Sequence, residues 1–192
     1  MAKSQLAQKK VREHKGTYAV AEDLVPEICQ SVRAIMAELM DKTDLTPETA
    51  DRLHVASTYW FLHMIERLLH LMEPEEKASY TWKEIASGVS KEVYGAVTGY
   101  LKAPDSHYEY FDTFFMNNYQ ECSSYMKGFT FPLEPAGETF DAFLKGFGKW
   151  LSHSIDEEDV LPPLLEGLAQ KWCDSSKFLS FCSAYSNKAS SK

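Results

Sequence analysis

No stretch of about 18 apolar residues runs free of charge, so the sequence predicts no membrane-spanning helix. The opening residues, MAKSQLAQKKVREHK, have no apolar centre of the kind a secretory signal needs. Cysteine is scarce: Cys29, Cys122, Cys173 and Cys182 lie far apart and form no C-x-x-C pair, which excludes a zinc knuckle or a thioredoxin-type motif. Their apolar settings, ICQSV and FLSFCSAY, predict buried, reduced thiols in a cytoplasmic protein. Also missing are G-x-S-x-G, a Walker loop and the dinucleotide-binding glycine pattern. No nucleophile stands beside a base among sequence neighbours, and no cofactor is specified by any motif.

Positive charge is sparse outside the first 16 residues. There, Lys3, Lys9, Lys10, Arg12 and Lys15 face Glu13 alone, a net +4 that leaves −12 on the rest of a chain whose formal charge is −8. An acidic body repels phosphate backbones, so general nucleic-acid binding is not expected.

What is present is aromatic and helical. The 192 residues suit one domain and include 11 Phe, 10 Tyr and 4 Trp. Apolar residues recur at three- and four-residue steps nearly throughout, and no alternating strand pattern competes. The reading is all-α, a single-domain bundle of about seven helices. It has a basic, partly disordered leader over 1–18, a helical domain over 19–186 and a disordered tail over 187–192.

Helices are expected over about 20–40, from Thr46-Pro47 to Glu73, over about 82–102, from Ser106 to Met126, and where Phe140, Phe143, Leu144, Phe147 and Leu151 recur. A short one follows Pro162-Pro163, and the last spans about 175–186. Thr81 with Glu84, and Ser106 with Glu109, read as capping boxes, and Gly88 as a possible break. The segment 128–137, GFTFPLEPAG, reads as a loop, a lid or a joint.

Three segments carry candidate chemistry. In the first, His63, Glu66, Arg67 and His70 share one side of the 47–73 helix, with Glu48, Arg52 and Tyr59. That arc reads as a solvated face. A carboxylate-bridged metal bundle needs two Glu-x-x-His pairs and two further acids, and the chain has only Asp51-x-x-His54. His54 instead falls in the apolar arc with Ser57 and Thr58, where polar groups either bond back to the helix or project into a pocket.

The second is 108–131, where nine aromatics cannot all occupy one helix face, so some are exposed or meet a second layer. The third, Thr81–Tyr94 (TWKEIASGVSKEVY), resembles the helix-turn-helix of DNA-binding proteins in its IA…GVS…VY phrasing. Its turn is about two residues short, because only Ser87 separates Ala86 from Gly88. Glu75, Glu76, Glu84 and Glu92 also balance Lys77, Lys83, Lys91 and Lys102, leaving no basic footprint.

These features favour a non-enzymatic helical binding protein (accessory, chaperone-like or regulatory) with an aromatic-rich groove. The groove would use Tyr110, Phe114 and Tyr119, with His54, Ser57 and Thr58 beside it. The expected partner is a protein or an apolar small molecule, with neither nucleic acid nor membrane. The alternative is a pocket for a small molecule or a planar, haem-like cofactor held by His54 or His153. A metal-dependent helical enzyme is the third reading.

Overall fold

A computed structural model describes residues 24–42, 44–97, 108–128 and 138–154. These form five helices and no strand: α1 (24–42), α2 (Pro47–Met72), α3 (Glu75–Ala96), α4 (Tyr108–Met126) and α5 (Glu138–Ser154). The all-α reading holds, with five helices among the described residues in place of seven. The helices expected after Pro162 and over 175–186 lie outside those residues, as do the leader, the tail and nearly all of the 128–137 segment.

The α2 boundaries follow the sequence signals. Thr46 Oγ1 accepts from the backbone N–H of Thr49 at 3.2 Å, and Pro47 occupies the first turn. A proline there gives up only an N–H that has no helical partner. At the other end the Glu73 N–H closes on the Leu69 carbonyl, and Pro74 turns the chain into α3.

The α3 start corrects the expectation at Thr81. The helix begins at Glu75 behind Pro74, with Glu75 and Glu76 in the first turn, where acids favour the helix dipole. Thr81 is therefore mid-helix, and its hydroxyl bonds back to the Lys77 carbonyl at 2.9 Å instead of capping anything. Gly88 does not divide α3, which is continuous through it, so the helix-turn-helix phrasing corresponds to one unbroken helix. Ser106, the other expected cap, lies outside the described residues.

Gly88 has a packing reason. A Cβ built there would lie 2.7 Å from Val25 Cγ2, so glycine allows α1 and α3 to approach closely. The exposed Arg33–Glu92 ion pair at 3.2 Å joins the same two helices.

Helix α2 is the axis of the bundle and packs against α3, α4 and α5. From Leu53 to Ile65 every residue except His54 is buried. A helix apolar on all sides is stable only when surrounded. Trp60, Phe61, Leu62 and Met64 fill the centre, with Phe111 and Phe115 from α4 and Ile85 and Val89 from α3. Among the described residues no helix is long and apolar enough to cross a membrane.

Candidate functional site

Two places on α4 combine aromatic and polar groups, one inside the bundle and one outside. Inside, rings run from α3 through α4 to α2. Tyr94 meets Phe111 at 5.2 Å between centroids, Phe111 meets Phe115 at 5.9 Å, and Phe115 meets Tyr59 at 4.9 Å. Tyr119 then lies 6.1 Å from Tyr59 and 5.0 Å from Trp82. Tilted and edge-to-face rings at these separations add to the stability that burial alone provides.

Polar groups punctuate this apolar seam. Tyr119 Oη donates to Glu66 Oε2 at 2.6 Å. His63 Nδ1 lies 3.9 Å from the same carboxylate oxygen, too far for a hydrogen bond. Among the described residues neither His63 Nδ1 nor the buried hydroxyl of Tyr59 has a hydrogen-bond partner.

The electrostatics follow burial. Loss of water, with Arg67 and Lys127 adding to it, lowers the His63 pKa from 6.5 to about 4, so the ring is neutral at pH 7. Burial first, and then the Glu66 charge, pushes the Tyr119 hydroxyl well above its ordinary range. Burial does the same to Tyr59.

This reverses the expected roles of two histidines. His63, read onto a solvated arc, is 2% exposed, and Tyr59 of the same arc is also buried. His54, read onto the dry face, is only half-buried. The arc fails because its charges stand only at the ends, Glu48 and Arg52 before and Glu66 and Arg67 after. Between Leu53 and Ile65 there is no Asp, Glu, Lys or Arg at all. That charge-free run of 13 residues was the available signal that α2 is enclosed on every side.

The six expected site residues do not share one surface. Thr58 is buried and its hydroxyl donates to the His54 carbonyl at 2.8 Å, the back-bonding that serine and threonine use inside helices. Ser57 is buried with no hydrogen-bond partner for its hydroxyl among the described residues. The His54 pKa is lowered by burial and by Arg33 of α1, against the pull of Asp51. Tyr119 faces the interior, as above. His153 lies outside the residues whose side chains are described.

Tyr110 and Phe114 face outward. Tyr110 is 67% exposed and Phe114 37%, one helical turn apart. Phe114 leans on buried Phe111 with ring centroids 6.3 Å apart, so the outer pair adjoins the internal ring chain. Further along, Tyr125 is partly exposed and packs on Trp150 of α5 at 5.7 Å. The aromatics of α4 thus divide between two faces, as the spacing required.

Cys29 and Cys122 are free and buried, as expected of two of the four cysteines. Cys173 and Cys182 lie outside the described residues. Among the described residues no group of three or more His, Cys, Asp and Glu side chains is placed to hold a metal ion. Compared with family models, curated proteins and solved structures, the chain matches none.

Proposed function

We propose that the protein is a non-enzymatic helical binding module that captures a protein segment on the outer face of α4. The observation that supports this reading is the exposure of Tyr110 and Phe114, one turn apart, on a helix whose opposite face buries Phe111, Phe115, Tyr119 and Met126. Solvent-facing aromatics one turn apart are the side chains that anchor protein interfaces. The double substitution Tyr110→Ala with Phe114→Ala tests it. Partner capture by the immobilised protein falls and helical circular dichroism is kept, while the unfolding midpoint drops only modestly, because Tyr110 is mostly exposed and Phe114 gives up its contact with Phe111. Undiminished capture by the double variant sinks the reading.

A second reading is supported by the buried Tyr59 hydroxyl and His63 Nδ1, one turn apart and without hydrogen-bond partners among the described residues. Unpaired buried polar groups are uncommon, and a small ligand bound between α2 and α4 would complete them. In this version His63 takes the place given to His54. The absorbance spectrum of the purified protein checks the planar-cofactor form of the idea: a Soret band lost in His63→Ala supports it, and a colourless protein removes it.

A further inference from the structure

We infer that the segment captured on the outer face of α4 is cationic and amphipathic, carrying Lys or Arg beside its apolar anchors; this rests on the binding-module reading above. The charge pattern of α4 carries the inference. Over Tyr108–Met126 there are three acids, Glu109, Asp112 and Glu121, and no Lys or Arg. Glu109 and Glu121 are exposed. Glu121 follows Phe114 by seven residues, two turns along the same stripe, and Glu109 stands one turn before Thr113 at the edge of the face. Thr113, Asn117 and Ser124, also exposed, complete the face without adding charge. The first cation of the helix end, Lys127, stands beyond Glu121, past the aromatic pair.

An exposed aromatic ring beside a carboxylate attracts a cation in two ways. The carboxylate acts through simple charge, and the ring face acts through its quadrupole. Here Tyr110, two-thirds exposed, offers the ring face, and the exposed carboxylates of Glu121 on the same stripe and Glu109 at its edge offer the charge. Phe114, one turn on, supplies apolar surface for the partner's own apolar side chains. An acidic amphipathic segment presents the same apolar surface but meets like charge at Glu109 and Glu121, on a chain that is already −8 overall. Charge complementarity therefore selects the sign of the partner, while the aromatic pair supplies the contact.

Two synthetic helical peptides with one leucine stripe test this, one with lysines on its polar face and the other with glutamates. Fluorescence anisotropy of the labelled peptides is read against the full chain, Tyr110→Ser/Phe114→Ser, Tyr110→Ser alone, and Glu109→Gln/Glu121→Gln. The lysine peptide is expected to bind about tenfold or more tighter than the glutamate peptide, and to weaken as salt rises. Its affinity falls about tenfold in the aromatic variants and severalfold in Glu109→Gln/Glu121→Gln, where the gap between the two peptides narrows. Tyr110→Ser alone keeps the test decisive if the double variant loses its fold.

Equal binding of both peptides, lost in the aromatic variants, overturns the charge inference and leaves the α4 face standing. Lysine-peptide binding untouched by every variant is attraction to the acidic body at large and overturns both. Failure of the lysine peptide to bind overturns the inference.

Discussion

Tyr119 Oη donates to Glu66 Oε2 at 2.6 Å, a charge-assisted bond that fastens α4 to the axial helix α2. Such bonds are short and stronger than neutral ones. The Glu66 side chain is a quarter exposed, so water replaces part of what a lost donor leaves behind. Tyr119→Phe keeps the ring contacts with Tyr59 and Trp82 and removes only the hydroxyl. Its expected cost is about 1–2 kcal/mol, read as a lower urea midpoint. Tyr119→Ala also removes the buried ring and costs about 3–5 kcal/mol. A Tyr119→Phe variant as stable as wild type means the bond contributes nothing net.

His63 makes stability depend on pH. Its folded pKa of about 4 lies below the 6.5 of the free side chain, so between those values the unfolded chain holds a proton that the folded protein does not. Stability is therefore full above about pH 6.5 and declines as pH falls toward 4, by at most about 3 kcal/mol from this group. Carboxylates titrate near the lower end of that window, so the comparison must be between proteins. Urea unfolding of wild type and His63→Gln at pH 7, 5.5 and 4.5 isolates the histidine. The variant should lose less stability on acidification, and parallel losses would remove His63 as the cause.

The helical class was legible because periodicity reports one buried face, and α1 shows it with Leu24, Ile28, Val32, Ile35 and Leu39 inside. The α2 ends were legible because Thr46, Pro47 and Pro74 act locally. The interior of α2 was misread for a physical reason. A wheel assumes one wet side, whereas α3, α4 and α5 all pack against this helix, so His63 and Tyr59 are enclosed by neighbours that no local window contains. Thr81 failed likewise: threonine followed three residues later by glutamate caps a helix only if the backbone is not already helical. At α4 the spacing showed that Tyr110 and Phe114 diverge from Phe111 and Phe115. It did not show that Tyr119 would turn inward to meet Glu66 across 53 residues of sequence.

The buried thiols should be unreactive in the folded state. Burial raises Cys29 to about 11, with Glu92 adding to the rise and Arg33 opposing it. Burial also carries Cys122 well above its ordinary range, Glu121 adding to it. Thiolate, the reacting form, is then rare at pH 8, and access is closed as well. In a Cys173→Ser/Cys182→Ser background, a disulfide-exchange reagent should leave both thiols unmodified in buffer and titrate both in denaturant. Rapid labelling in buffer would mean that α1 or α4 opens locally.

Gly88 and Val25 make the closest glycine-dependent contact described between α1 and α3, and they yield a coupling that a double-mutant cycle reads directly. Alanine at Gly88 gains about 1 kcal/mol from helix propensity. Its Cβ, however, would stand 2.7 Å from Val25 Cγ2 and 3.4 Å from Cγ1, a crowding that valine, branched at Cβ, cannot relieve by bending its far end. Overpacking of this kind costs about 1–3 kcal/mol, so Gly88→Ala is expected to be neutral to destabilising. Val25→Ala alone loses partly buried methyl groups and costs about 1 kcal/mol. In the double variant the new methyl occupies the space those groups leave, and the propensity gain is realised. The double variant should therefore exceed the sum of the single changes in stability by about 1 kcal/mol or more, in urea unfolding at one pH. Simple additivity would mean that α1 and α3 can shift apart at no cost, and that Gly88 is not what sets their separation.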